Sequence, residues 1–116
     1  MKGELGDKER IIHILESMNT VFQFTIKVTK QEFDTNLMLK LACSKLLADI
    51  GEASSNLSEE LKSKYFNIPW KPIKAMRNFI IHEYFGVDYE GIWEVIVKDL
   101  PNLEKEIMKI KIENNY

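Results

Sequence analysis

The stretch that decides the fold is residues 70–85, with the sequence WKPIKAMRNFIIHEYF. Pro72 fits the first turn of a helix, where a missing N–H costs no hydrogen bond, and Gly86 is a natural helix stop. At 100° per residue, most of the apolar side chains share one arc, which comprises Ile73, Met76, Phe79 and Ile80. The spacing therefore predicts one amphipathic helix over residues 70–85.

The opposite side of this predicted helix carries polar side chains of unusual variety. They are Arg77, Asn78, His82 and Tyr84, and Ile81 and Phe85 lie among them. A surface that mixes charged, titratable and large apolar groups is more typical of an interface than of a solvated face. We therefore expect this face to meet a second copy of the chain or a partner.

The rest of the chain also has helical periodicity. Apolar residues at three- and four-residue steps predict a first helix from an N-cap at Asp7 to about Lys30. A cap at Asp34 or Thr35 starts a second helix, whose wide apolar arc places it at the centre of a bundle. Gly51 either ends this second helix or lies inside it.

Three further segments complete the predicted set of helices. A short helix covers residues 58–64, a later one opens at Asp88 or Tyr89, and the last is capped by Asp99 with Pro101 in its first turn. The sequence has no alternating strand pattern, repeat or low-complexity segment. It predicts an all-α, antiparallel up-and-down bundle of about five helices, as one domain over residues 1–116 with its core at about 7–112.

Composition excludes several classes of protein. The chain has 116 residues, 45% hydrophobic, with a net charge of −2, which fits one globular domain and argues against disorder. Cys43 has no partner for a disulfide and is expected in the core. Two histidines and one cysteine form no metal-ligand cluster, so we expect no metal and no cofactor. No targeting segment or membrane-length apolar run is visible, so we expect a soluble cytoplasmic protein.

The local charge around residues 70–85 differs from the global one. The chain has fourteen Lys and two Arg, and residues 61–81 contain five basic side chains and no acidic one. Lys71 and Lys74 lead up to Arg77, whose planar guanidinium binds phosphate in a bidentate way that Lys cannot match. This basic stretch is either a path for a phosphate backbone or an ordinary solvated surface.

Arg77-Asn78, followed by His82 and Tyr84, resembles the Arg-x4-His-x-Tyr signature of HEPN-domain proteins, in the form carried by HepT-like toxins. Further landmarks of that family lie in the expected order along most of the chain. They are residues 50–53, 68–70, 76–78, 87–88, 92–93 and 100–101.

This resemblance implies a HEPN-like helical bundle that forms a homodimer, with motif residues of both chains around one cleft. It implies the toxin of a type II toxin–antitoxin system, acting as a metal-independent endoribonuclease. It also implies a partner, an MntA-type nucleotidyltransferase antitoxin, which inhibits the toxin by transferring AMP from ATP to the tyrosine that matches Tyr84.

The chemistry of the motif residues fits cleavage of RNA, which carries its own 2′-hydroxyl nucleophile. His82 can take or give a proton near neutral pH, and Arg77 can stabilise charge on the phosphate. Asn78 can orient the imidazole, Tyr84 can hydrogen-bond the substrate, and the carboxylate of Glu52 can hold Arg77. Lys71 and Lys74 are the candidate RNA contacts.

Each of these residues also has a simpler interpretation. Arg77 and His82 can form a structural polar cluster at an interface, Tyr84 can be an interface tyrosine, and Glu52 can be a solvated carboxylate. For the whole protein, the alternative is a non-catalytic nucleotide-binding or scaffolding subunit of a nucleotidyltransferase complex. Retention of Arg77, His82 and Tyr84 together favours the ribonuclease.

Overall fold

The computed structural model describes the backbone of residues 2–81 and 89–116 and the side chains of residues 6–79 and 91–116. Within these ranges, every regular element is helical, which confirms the predicted all-α class. The elements are α1 (Lys2–Thr25), α2 (Lys30–Asp34), α3 (Leu37–Ser55), α4 (Glu59–Lys64), α5 (Trp70–Ala75), α6 (Asn78–Ile81), α7 (Tyr89–Glu94), a π-helical segment (Val95–Asp99) and α8 (Leu100–Glu113).

Helix α3 is the centre of the bundle, as its wide apolar arc predicts. It packs against α1 most extensively and also contacts α2, α5, α6 and α7, while α8 packs against α1. The core contains large aliphatic side chains from α1, α3 and α8, each worth about 1.5–3 kcal/mol when fully buried. Those least exposed include Ile11, Ile14, Met18, Leu47, Ile50, Ile107 and Ile110.

The prediction that Cys43 lies in the core is confirmed. Cys43 is fully buried, and this burial raises the pKa of its thiol to about 11, so the thiol stays protonated at neutral pH. Trp93 packs on the fully buried Phe33 of α2, with ring centroids 5.0 Å apart. Among the described residues, no helix has both the length and the apolarity that a membrane span requires.

The start of α1 differs from the prediction. The helix begins at Lys2, so Asp7 lies inside it and is not its N-cap. The buried Asp7 carboxylate instead accepts hydrogen bonds from the backbone N–H of Ser58 at 2.8 Å and from the Ser58 hydroxyl at 2.6 Å. Ser58 is itself the N-cap of α4, because its Oγ accepts from the N–H of Leu61.

The predicted first helix is also too long. It ends at Thr25, and Lys27 adopts a left-handed conformation with φ of 60°, which interrupts a right-handed helix. Thr29 and Glu32 then form a reciprocal capping box that starts α2, a helix the sequence analysis did not predict. The cap of α3 is neither Asp34 nor Thr35 but Asn36, whose side chain accepts from the N–H of Leu39.

The last helix also starts differently. Asp99 makes no side-chain capping bond, because the preceding residues are already helical. The N–H of Leu100 donates to the carbonyl of Val95, a five-residue step that widens the helix into a π-helical turn just before Pro101. The helix therefore passes from α7 into α8 without the break that a separate cap would require.

Candidate active site

The predicted helix over residues 70–85 is interrupted in the middle. Helix α5 ends at Ala75 and α6 begins at Asn78, with Met76 and Arg77 forming the turn between them. The N–H groups of Met76 and Arg77 donate three residues back, at 3.0 and 3.3 Å, so this turn is tighter than an α-helix. The turn therefore interrupts the regular helix at Arg77, the residue that begins the motif.

Gly51 lets this turn lie directly against α3. A Cβ atom at Gly51 would lie 2.6 Å from the backbone nitrogen of Arg77 and 3.0 Å from the carbonyl oxygens of Ile73 and Lys74. No real Cβ tolerates such a contact with backbone atoms. Gly51 therefore lies inside α3, not at its end, and its missing side chain sets how closely Arg77 approaches α3.

The residue after Gly51 supplies a carboxylate beside Arg77. Oε2 of Glu52 lies 3.8 Å from Nη1 of Arg77, and the two side chains are 62% and 42% exposed. Oε1 of the same carboxylate accepts a long hydrogen bond of 3.4 Å from the amide of Asn56. Ion pairs this exposed contribute only about 0–1 kcal/mol. The pair therefore restrains the Arg77 side chain only weakly, and the guanidinium stays accessible.

The structure brings part of the predicted site together. Arg77, Glu52 and the exposed Asn78 lie at the contact between α3 and the α5–α6 turn. Lys71 and Lys74 are exposed on α5, the helix that leads to this turn. His82 and Tyr84, the other two motif residues, lie outside the described residues.

A groove of about 430 Å³ lies between α4 and α5, on the side of the site that carries Lys71 and Lys74. Ser54, Ser55 and Lys62 also line it, and so do two aromatic residues, Phe66 and Trp70. Phe66 is not among the predicted site residues, although an aromatic residue in a polar part of the basic stretch is a visible sequence signal. Among the predicted site residues that the structure describes, none lines a second groove, of about 600 Å³, which is bounded by α5, the π-helical segment and α8.

The described part of the site has a basic character with one paired acid. Within the described residues, Lys71 and Lys74 have no carboxylate within ion-pair distance, whereas Lys62 is paired with Glu59 at 3.2 Å. No cluster of His, Cys, Asp or Glu in the described parts of the chain has the arrangement of a metal site. These side chains are suited to binding a polyanion through Lys and Arg donors.

Sequence comparison identifies the family. The model of the HepT-like family, described as "Ribonuclease HepT-like", matches residues 14–110. The chain belongs to the HepT-like ribonuclease family. The resemblance found in the sequence is thereby confirmed, and it covers the core helices as well as the α5–α6 turn.

Several curated proteins are similar over nearly the whole chain. A protein of Methanocaldococcus jannaschii, provisionally named RNase MJ1380, is 39% identical over 86% of this chain and 92% of its own length. One of Caldanaerobacter subterraneus, provisionally named RNase TTE0752, is 40% identical over 84% of this chain and 88% of its own. A protein of Thermococcus cleftensis named "Probable ribonuclease HepT" is 31% identical over 90% and 94%. No solved structure matches the chain.

Proposed function

We propose that this chain is the toxin of a type II toxin–antitoxin system and acts as a metal-independent endoribonuclease in the cytoplasm. Two identical chains form the active unit, and motif residues from both surround one cleft. The substrate is RNA, which Lys71 and Lys74 contact through its phosphates. Membership of a ribonuclease family supports the class of reaction, and the residues below supply the proposed mechanism.

The observation that carries this proposal is the placement of Arg77. Its backbone is fixed against α3 by the close approach at Gly51, and its side chain is restrained by Glu52 but remains 42% exposed. A purely structural arginine would gain more from a short, buried pair. An arginine held in place with free donors is suited to binding a phosphate whose charge increases during the reaction.

The proposed reaction uses the nucleophile that RNA itself carries. The 2′-oxygen attacks the adjacent phosphorus while neutral His82 of one protomer takes the 2′-hydroxyl proton. The bond from phosphorus to the 5′-oxygen then breaks, and protonated His82 of the second protomer gives its proton to that oxygen. The products are a 2′,3′-cyclic phosphate and a free 5′-hydroxyl, and Arg77 stabilises the charge on the phosphorane oxygens between these steps. Asn78 orients the imidazole or a phosphate oxygen.

The proposed regulation acts on Tyr84. A partner nucleotidyltransferase of the MntA type transfers AMP from ATP to the tyrosine hydroxyl, with release of pyrophosphate. The bound AMP adds bulk and negative charge in the proposed cleft and repels RNA. Incubation of the purified chain with that partner and ATP should add the mass of one adenylate to the wild type and not to Tyr84→Phe.

The main experiment expresses the chain alone and measures growth and cellular RNA. Wild type should arrest growth and cleave RNA, and both effects should be lost in His82→Ala and in Arg77→Ala. Purified wild type should cleave RNA equally well with and without EDTA. Cleavage products that end in a 2′,3′-cyclic phosphate would support attack by the 2′-oxygen.

Circular dichroism and size-exclusion chromatography are the controls, because both variants must stay folded and dimeric. Survival of RNA cleavage in His82→Ala would contradict the acid–base role of that residue. A wild-type chain that is folded and dimeric but neither toxic nor able to cleave RNA would contradict the enzyme. That result would favour a nucleotide-binding or scaffolding subunit of a nucleotidyltransferase complex.

A further inference from the structure

Phe66 is an exposed aromatic side chain on a well-anchored backbone. Its side chain is 78% exposed, although it lies in the short connection between α4 and α5. The carbonyl of the preceding Tyr65 accepts from the indole N–H of Trp70 at 3.0 Å and from the N–H of Ile68 at 3.1 Å. The Tyr65 hydroxyl donates to Glu113 of α8 at 2.8 Å. These bonds hold the Phe66 backbone while leaving its ring in solvent.

The ring of Phe66 contributes little to folding. The apolar residues on either side of it, Leu61 and Ile68, are buried in the core, and Trp70 is half-buried against it. An exposed phenyl ring on a fixed backbone loses little conformational freedom when a flat ligand stacks on it. The position is therefore preorganised for stacking and unnecessary for stability.

The charges around this ring point to a polyanion. Phe66, Lys62, Lys71 and Lys74 line the same groove. Among its described lining residues the one carboxylate, that of Glu59, is paired with Lys62. Lys71 and Lys74 have no acidic partner within the described residues, so their ammonium groups are available. A protein partner for an apolar ring would be expected to bring apolar surface, whereas phosphates match the lysines.

A groove that combines free cations with an exposed aromatic ring is the arrangement by which proteins bind single-stranded nucleic acid. Lysines hold the backbone phosphates and the ring stacks on a base, without reading its sequence. The groove is also placed to guide a strand, because α5 runs from it to the turn that holds Arg77. A double helix cannot use the ring, since its bases are already stacked on one another.

We propose that the groove between α4 and α5 binds the single-stranded RNA that flanks the cleaved phosphate, with Phe66 stacked on one base and Lys71 and Lys74 on the phosphates. This inference rests on the proposed function for the identity of the strand. It adds an aromatic binding site that the motif does not contain. It also predicts a preference for unpaired RNA with little dependence on sequence.

The test measures binding separately from cleavage. The probe is a fluorescently labelled 2′-O-methyl oligoribonucleotide, which lacks the nucleophilic hydroxyl and stays intact. Phe66→Ala should weaken its binding to the full chain about tenfold, because stacking on one base is worth about 1–3 kcal/mol. Phe66→Trp should retain binding. The control Phe24→Ala, at an exposed phenylalanine on α1 outside the groove, should leave it unchanged.

A strand of abasic residues sharpens the test, because it keeps the phosphates and removes the bases. Wild type should bind the normal strand more tightly than the abasic strand, and Phe66→Ala should lose most of this difference. Lys71→Ala and Lys74→Ala should each reduce the slope of log affinity against log salt by about 0.7 on both strands. The control Lys109→Ala, at an exposed lysine on α8, should not.

The results separate this inference from the proposed function. RNA binding that depends on Phe66 in a chain that cleaves nothing would support the groove and contradict the enzyme. RNA cleavage by wild type, with equal base dependence in wild type and Phe66→Ala, would support the enzyme and overturn the stacking site. A change of oligomeric state in Phe66→Ala without loss of base-dependent binding would also overturn it, because the ring would then belong to a protein interface.

Discussion

Two of the polar pairs that join distant parts of this chain are built in opposite ways. Asp7 of α1 binds Ser58 through two hydrogen bonds of 2.8 and 2.6 Å, and its side chain is only 4% exposed. Glu52 of α3 lies 3.8 Å from Arg77, and both side chains are largely open to solvent. The first pair engages both oxygens of the Asp7 carboxylate, while the second leaves guanidinium donors of Arg77 available.

This difference separates a pair that stabilises the fold from a pair whose guanidinium donors remain available to a ligand. A buried carboxylate needs hydrogen-bond partners, because an unpaired charge in the interior is costly. Ser58 supplies these partners to Asp7, so the pair contributes to the stability of the fold. An exposed pair at 3.8 Å stabilises the fold very little, so folding does not depend on the Glu52–Arg77 pair. We infer that the Asp7–Ser58 pair stabilises the contact between α1 and the start of α4, whereas the α3–α5 contact presents Arg77.

Asp7→Ala should produce the largest loss of stability. It removes two hydrogen bonds to a carboxylate and leaves the N–H of Ser58 without its partner, at a cost of about 2–3 kcal/mol in the free energy of unfolding. Urea denaturation measures this cost. RNA cleavage by the folded fraction should stay at the wild-type rate, because this contact lies at the α1–α4 junction.

The matched control is Asp34→Ala, which removes an exposed carboxylate that pairs with Lys30 on α2. It should change the free energy of unfolding by about 0.5 kcal/mol or less. Equal losses of unfolding free energy in Asp7→Ala and Asp34→Ala would contradict the distinction between a buried, hydrogen-bonded pair and an exposed one. Loss of cleavage in folded Asp7→Ala would contradict it as well.

Gly51→Ala should affect both properties at once. In an open helix the change from Gly to Ala stabilises by about 0.5–1 kcal/mol, but here the new methyl group would meet the backbone of Arg77. We expect a loss of about 1–3 kcal/mol in the free energy of unfolding, since the α5–α6 turn must move away from α3. Cleavage should fall more than stability explains, because Arg77 moves with the turn.

Urea denaturation and RNA cleavage at temperatures well below unfolding separate these two effects. A gain in stability in Gly51→Ala would show that the turn is not packed as closely as the geometry requires. A loss of stability with unchanged cleavage would show that the position of Arg77 is not set by this contact. Either result would contradict the inference that the contact of the turn with α3 presents Arg77.

The helices and the family were predictable from sequence because they rest on local patterns. The periodicity of residues 37–50 indicated a central helix, and the structure places α3 there. Ser58 was predicted to begin a short helix, and it is the N-cap of α4. Asp7 looked like a cap because its own neighbours suggested one, whereas its real partner, Ser58, is remote in sequence.

The details of the site depended on contacts that no local pattern encodes. The break at Met76 and Arg77 lies where the end of α5 and the turn pack against Gly51, so the amphipathic periodicity of residues 70–85 could not reveal it. The exposure of Phe66 is likewise a result of tertiary packing, which buries its apolar neighbours and leaves its ring out. Glu52 was predicted as either a partner of Arg77 or a solvated carboxylate, and the separation of 3.8 Å between the two side chains follows from tertiary packing.

Glu52→Gln should have the smallest effect on stability, and it should lower both KM and kcat for RNA cleavage. The free energy of unfolding should change by about 0.5 kcal/mol or less, as expected for an exposed pair. Glu52 competes with the phosphate for the guanidinium of Arg77, and because this exposed pair is worth about 0.5 kcal/mol or less, KM for RNA should fall by about twofold. The turnover rate kcat should also fall, because Arg77 loses the carboxylate that restrains it. Steady-state cleavage kinetics measure KM and kcat separately, and Glu16→Gln on α1 is the matched control. If wild type and Glu52→Gln have equal KM and equal kcat, Glu52 is a solvated carboxylate with no role in positioning Arg77.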